Sequence, residues 1–399
     1  MRISTIGYQT NALEQMQSLE QALAQTQSQL GSGLKLQNAA DNPAAMAQVN
    51  SLDAQLSSSQ QFVTNGNLAS SNLQLEAQAL TGATNVLQSA RDLALQANDA
   101  SLTQGARQAI ATQLQQQLAQ LVSIANSTDS SGNYLFSGIA AGTQPFIQSG
   151  NAVGYAGAQS VSQIQISSNQ SVSAGDTGAA VFMNAPAGNG TFATAAAAGN
   201  TGSASIDPGT VTDPSAWVPD TYTISFTSPT DYQVTNSGGG VVASGTLSGA
   251  ASSGTSTIAF NGIQVDLSGT PAAGDQFTIA PAGKVSAFAT LSSLIGTLNS
   301  GSLNPAQLAT AIGGAVQQID GALNTLSSAQ SSVGARLNTI TASQSSAQST
   351  QTHLQSQVSQ LQDVDYAQAI TQLNTEELSL QAAQQSYAAI GKLSLFNYL

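Results

Sequence analysis

Residues 305–361 read PAQLATAIGGAVQQIDGALNTLSSAQSSVGARLNTITASQSSAQSTQTHLQSQVSQL. Ala309, Ile312, Val316, Ile319, Leu323 and Leu326 recur at alternating steps of three and four. The register runs on through Gln330, Val333, Leu337, Ile340, Gln344, Ala347, Gln351, Leu354, Val358 and Leu361 without a slip. That is the period of a coiled-coil seam. At ~1.5 Å per residue the helix is about 85 Å long, too long for one small domain to cover. It is a packing rail and needs partner helices.

The N-terminal half supplies them. From Ala44 to about Asn98, Val49, Leu52, Leu56 and Val63 form one seam, and Leu73, Ala77, Leu80, Thr84 and Leu87 continue in 4-3-4-3 register. Its length, about 80 Å, matches the rail. A break at Asp99-Ala100-Ser101 precedes a third helix with Ile110, Leu114, Leu118, Leu121 and Ile124 on one side. The expected fold class is α+β. A long helical coiled-coil bundle is made from the two chain halves (44–140 and 285–363), and a β-rich region (141–284) is inserted between them.

Both ends carry shorter seams. Met16, Leu19, Leu23, Thr26 and Leu30 fall at 3-4-3-4 spacing, with Leu13 preceding them, inside an N-terminal segment assigned to residues 1–43. So short a helix is marginal alone and requires a docking surface. Gly31 and Gly33 then break it, and Asp41 or Asn42 caps the next helix with Pro43 at its first position. As a phosphate cradle these glycines are poor, since no strand precedes them and no Gly-Lys-Ser/Thr follows. At the other end the rail slips at Asp363-Val364-Asp365. Beyond it, Tyr366, Leu373, Leu380 and Tyr387 lie seven apart, supported by Ile370 and Ile390, and the segment 364–399 ends in an apolar cluster containing Leu393 and Phe396. An exposed apolar tail is a liability unless something covers it.

The middle region is rich in Gly, Ser and Thr with short period-2 runs. Ile258-Ala-Phe260, Asn261-Gly262 and Ile263-Gln-Val265-Asp-Leu267 form the strongest local hairpin signal. Gly238-Gly-Gly240 marks a second turn. Two subdomains are expected, 141–183 and 218–284, with the Ala- and Gly-rich stretch 184–216 as a flexible connector.

Composition excludes several functions. Only 7% of residues are charged and the net charge is −13, against about 25% charged in ordinary domains. No basic residue lies between Arg107 and Lys284, so nucleic acid is not an expected partner. Low charge also suits surfaces that become buried on self-assembly. Cysteine is absent, and no apolar run is long enough to cross a membrane. The N-terminus lacks an apolar signal core and a small-residue cleavage site, so the expectation is either cytoplasmic residence or export without a cleaved signal.

No catalytic constellation emerges. His353 sits beside a seam position as a solvated helix residue. Asp207, Asp213 and Asp220 lack calcium-loop spacing and read as loop aspartates. Glu376 and Glu377 are adjacent on a helix and point to different sides. Arg91, Arg107 and Arg336 are expected to make ion pairs within the bundle with residues such as Asp92 or Asp320. Neither a metal nor a cofactor is expected, and the reading is not that of an enzyme.

Several motifs together carry a resemblance. They are Ser32-Gly-Leu-Lys35 with Asp41-Asn-Pro-Ala44; Ala125-Asn-Ser-Thr-Asp-Ser-Ser-Gly-Asn-Tyr-Leu-Phe-Ser-Gly138 followed by Gln144-Pro-Phe146; Leu361-Gln-Asp-Val-Asp-Tyr366; Leu378-Ser-Leu-Gln-Ala-Ala-Gln-Gln-Ser-Tyr387; and Leu393-Ser-Leu-Phe396. On these the chain resembles the flagellin superfamily and, within it, the hook–filament junction proteins, over roughly residues 1–183 and 285–399. The resemblance implies a structural protein of the extracellular flagellum, exported by the type III route without a cleaved signal and held beforehand by a cytoplasmic export chaperone. It implies a ring of copies between hook-associated protein 1 and flagellin, with terminal segments disordered in the free monomer. Flagellin itself, or another type III-secreted coiled-coil protein, is the alternative. Residues 185–283 depart from the shortest members and look like an extra surface domain.

Overall fold

The computed structural model describes residues 5–247 and 254–392. Among these residues there are six α-helices: α1 (Thr5–Ser32), α2 (Pro43–Ala97), α3 (Gln104–Ala125), α4 (Ala287–Ser300), α5 (Pro305–Gln362) and α6 (Tyr366–Lys392). Among the described residues, fifteen strands lie between α3 and α4. They are β1 (Phe146–Ser149), β2 (Ala152–Tyr155), β3 (Gln163–Ser167), β4 (Gln170–Ser173), β5 (Ala185–Pro186), β6 (Phe192–Ala196), β7 (Ser205–Ile206), β8 (Thr210–Val211), β9 (Tyr222–Phe226), β10 (Asp231–Thr235), β11 (Val241–Thr246), β12 (Thr255–Phe260), β13 (Ile263–Ser268), β14 (Gln276–Pro281) and β15 (Lys284–Val285). The chain divides into two compact units, residues 1–64 with 343–399, and residues 65–342.

The expected rail is α5, one uninterrupted helix, and the expected long N-terminal helix is α2. Few charges stabilise them. Instead their many serines and threonines satisfy themselves, as Thr64, Thr81, Thr84, Thr325, Thr339 and Thr350 each donate a hydroxyl hydrogen to the carbonyl four residues back. The shorter helices are capped by sequence. Thr103 accepts from the Ala106 amide ahead of α3 and Ser286 from the Ala289 amide ahead of α4, which ends on Gly301 in the left-handed region.

Residues 65–342 hold two apolar cores. The first joins Leu73, Leu80 and Leu87 of α2 to Leu114, Leu118 and Leu121 of α3, Leu291 and Ile295 of α4, and Ile312, Ile319, Leu326 and Val333 of α5. An aromatic cluster closes it. Phe146 lies 4.9 Å from Phe288 and 5.6 Å from Phe182, which meets Phe136 edge-on at 5.2 Å. The hairpins β1–β2 and β3–β4 therefore belong to the helical core, and so does the π-helical turn Ala179–Met183. The expectation that 141–183 would be a surface β-subdomain is corrected, because Phe146, Ile166, Val172 and Phe182 are buried against helices.

The second core is a β-domain. A five-stranded antiparallel sheet, ordered β11-β10-β9-β14-β6, shares one core with a smaller sheet in which β13 pairs with β12, β7 and β8. The Asn261-Gly262 hairpin forms as expected, with φ of 45° and 74° at its two turn residues. The flexible connector expected over 184–216 does not exist: β5, β6, β7 and β8 lie there, and Phe192 and Ile206 are core residues. Small side chains at Ala193, Ala195 and Ala196 hide the strand that pairs with β14. The start of α5 holds this domain through polar groups. Gln307 Nε2 donates to the carbonyls of Ala197 (3.3 Å), Ala198 (2.9 Å) and Asn200 (3.2 Å), and Ile206 N–H donates to Thr310 Oγ1. The loop aspartates are structural too: Asp207 accepts the Asp266 amide and Asp213 the Ser215 amide.

Candidate assembly interface

Within the unit formed by residues 1–64 and 343–399, α1 packs on α6. The turn between α1 and α2 meets the break between α5 and α6. Lys35 N–H donates to Gln362 O (2.7 Å) and Val364 N–H to Gly33 O (2.9 Å), while Lys35 Nζ reaches Gln360 O (3.2 Å). Because α1 ends and α6 begins at this joint, the two helices run antiparallel.

The local chemistry explains the joint. Gly33 has φ +76°, and a Cβ there would lie 3.1 Å from the Tyr366 hydroxyl, so glycine is favoured on both counts. Gly31 lies within α1, so Gly33 alone ends the helix. Of the two candidate caps, Asn42 does the work: its Oδ1 accepts the Ala45 amide at 3.0 Å, and α2 starts at Pro43. Asp41 instead closes the preceding loop by accepting the amides of Gln37 and Asn38. Asp365 caps α6 by accepting from Ala367 and Gln368.

On α1 the less exposed residues are Ala12, Met16, Leu19, Ala22, Leu23, Thr26, Gln29 and Leu30, which contain the expected seam. Leu13 lies off it and is exposed. On α6 the corresponding face is Ala369, Leu373, Glu376, Leu380, Ala383 and Tyr387, again at steps of four and three. Tyr366, one heptad before Leu373, and Ile370, expected to support that row, are 55% and 50% exposed. The side chain of Ile390, and Leu393 and Phe396 altogether, lie outside the described residues. Sequence reasoning missed Ala369, Glu376 and Ala383, whose only signal was their own seven-residue spacing. Glu376 occupies the stripe and accepts from Gln372 Nε2 at 2.9 Å, whereas Glu377 is exposed, so the adjacent pair does point to two sides.

Among the described residues, five large apolar side chains of this pair are exposed: Tyr8, Leu13, Tyr366, Ile370 and Leu378, the last 68% exposed. Among the described residues no group of His, Cys, Asp or Glu is arranged to hold a metal, and no helix is long and apolar enough to cross a membrane. The arrangement offers packing surface.

Residues 3–141 match the model of the bacterial flagellin N-terminal helical region, and residues 316–399 match that of its C-terminal helical region. Residues 195–281, spanning nearly all of the β-domain, match the D2-like domain of flagellar hook-associated protein 1. Among solved structures, flagellar hook-associated protein 3 from Legionella pneumophila is 31% identical, with 98% of that chain and 78% of this one covered and a TM-score of 0.73. The chain belongs to the flagellar hook-associated protein 3 family. A second member of known structure, FlgL from Xanthomonas campestris, is 32% identical, with a TM-score of 0.70, covering 77% of this chain and 99% of that one. Flagellar hook-associated protein 3 of Escherichia coli (strain K12) is 31% identical over 155 residues, 39% of this chain. That match spans about half the length of the curated relative, 48%. The α+β class expected from the sequence agrees with these helical-region matches at the two ends of the chain.

Proposed function

We propose that this chain is a structural subunit of the bacterial flagellum that forms a ring at the junction of hook and filament, with hook-associated protein 1 on one side and flagellin on the other. The observation that carries this reading is the uncovered apolar surface of the α1–α6 pair, Tyr8, Leu13, Tyr366, Ile370 and Leu378, in a chain of the hook-associated protein 3 family. Covering such side chains contributes roughly 1.5–3 kcal/mol each when burial is complete, and neighbouring copies of the same pair would provide the cover. Leu373, Leu380 and Tyr387 then hold α6 on α1, while the exposed row faces the neighbours. Family membership supports export through the flagellar type III apparatus, attendance by a cytoplasmic chaperone and residence outside the cell. It equally supports a structural role with no enzymatic one.

The same reading makes the terminal segments conditional. An isolated antiparallel pair with a narrow seam offsets little of its ordering entropy, so α1 and α6 order fully only among neighbours. Hydrogen exchange on the free subunit tests this. Little protection is expected in both segments, and strong protection in both would defeat it.

The decisive experiment is complementation of a strain lacking the protein. Without it, cells should keep hooks and shed filament protein into the medium. Complementation with Leu373→Asp or Leu380→Asp should leave that defect in place while residues 65–342 stay folded; full motile filaments would overturn the interface. Purified protein polymerising by itself into long filaments would favour the flagellin reading instead.

A further inference from the structure

Glu76 stands in the middle of α2 and is 1% exposed, in a chain where charged residues make up 7%. Its Oε1 accepts the Asp176 amide at 3.1 Å, and its Oε2 is shut off from solvent with no partner. Gly175 covers that oxygen; a Cβ there would sit 3.4 Å from it. Asp176 receives Arg336 Nη2 from α5, and Arg336 Nη1 donates to the carbonyls of Ser173 (3.5 Å) and Gly175 (3.1 Å). The charged groups facing Glu76 are thus Asp176 from the strap 173–178 and Arg336 from α5. The expectation that Arg336 would pair within the helices is corrected here, because its partner lies on the strap that follows β4.

One guanidinium neutralises one carboxylate. With Glu76 ionised, the cluster would hold a buried, uncompensated negative charge, which is costly. With Glu76 protonated the cluster is neutral, and the acid supplies a donor toward the Asp176 carboxylate. Burial first, and the neighbouring Asp176 charge second, push the Glu76 carboxyl up to about 8, with Arg336 opposing. In the unfolded chain Glu76 titrates near its ordinary value of 4.5. Between those values the folded state holds more protons, so the contribution of Glu76 to stability is complete below about 4.5 and is lost as pH rises through about 8.

We propose that Glu76, Asp176 and Arg336 form a proton-operated clasp: protonated Glu76 holds the strap 173–178, and with it the β3–β4 hairpin, against α2 and α5, and deprotonation releases it. The clasp is independent of assembly through α1 and α6. The chain has five glutamates, Glu14, Glu20, Glu76, Glu376 and Glu377, so carboxyl carbon-13 labelling of glutamate in the full chain gives a readable titration. One signal, absent in Glu76→Gln, should titrate within about one unit of 8, and the lack of any such signal would overturn the proposal. Amide exchange over 173–178, corrected for its intrinsic pH dependence, should rise roughly tenfold from about pH 6 to about pH 9 in the wild-type chain, and less than about threefold in Glu76→Gln. Equal rises in both chains would also overturn it. If the variant fails to fold, the wild-type titration alone decides.

Discussion

The α3–α4 region and the α1–α6 pair are both helical and both poor in charge, yet they bury their apolar residues to different degrees. Around α3 and α4, Leu114, Leu121, Phe288, Leu291 and Ile295 are completely buried. Among the described residues of α1 and α6, only Thr26 and Ala369 reach the buried class. The difference is one of surroundings. α3 and α4 are enclosed by each other, by β1 and β2 and by the π-helical turn, so all sides of a stripe are filled. Two antiparallel helices bury a single stripe, and alanines within that stripe remove little area from water. The first region can stabilise itself. The second leaves apolar surface uncovered.

This contrast can be broken most easily at the aromatic cluster. Phe288→Ala should cost about 3–5 kcal/mol, read as a large drop in the thermal midpoint of the 65–342 unit, and a loss below about 1 kcal/mol would mean that α4 is not enclosed as described. Next is the hairpin turn. Gly262 has φ +74°, and a Cβ would stand 2.1 Å from Asp213 O, so Gly262→Val should cost about 2 kcal/mol or more in denaturant unfolding. A smaller loss is expected at Asp320, whose carboxylate pairs with Arg91 at 2.6 Å while both side chains are more than a third exposed. Asp320→Asn should lose less than about 1 kcal/mol, and less still in high salt. The smallest stability effect should come from Ile370→Ser, within about 0.5 kcal/mol in the free chain. The same substitution should weaken filament attachment in cells, and normal attachment would show that the exposed row of α6 is not covered on assembly.

The helices were legible because their signal is local. A seam repeated over α5 leaves one register, and Asp363-Val364-Asp365 interrupts it where the helix does end. The same holds for Asn261-Gly262, where two adjacent residues must take positive φ. β6 was not legible. Phe192-Ala-Thr-Ala-Ala196 alternates weakly, and its pairing partner is β14, far along the chain. Nor was the docking of 141–183, whose alternating residues are apparent but not the helices they meet. The proton clasp was hidden for the same reason, since Glu76, Asp176 and Arg336 are far apart in sequence.

The α6 face shows where the division lies. Leu373, Leu380 and Tyr387, seven apart, mark one row of a helix whatever surrounds it. A second row completes a heptad seam equally well on either flank, through Ile370 on one side or through Ala369, Glu376 and Ala383 on the other, because steps of three and of four both keep to one side of a helix. The sequence by itself determined the helices, their breaks, the hairpin and the family motifs, all set by neighbours a few residues away. Only the tertiary structure chose the flank, placing the small residues against α1 and leaving Ile370 exposed, because that choice depends on the shape of another helix.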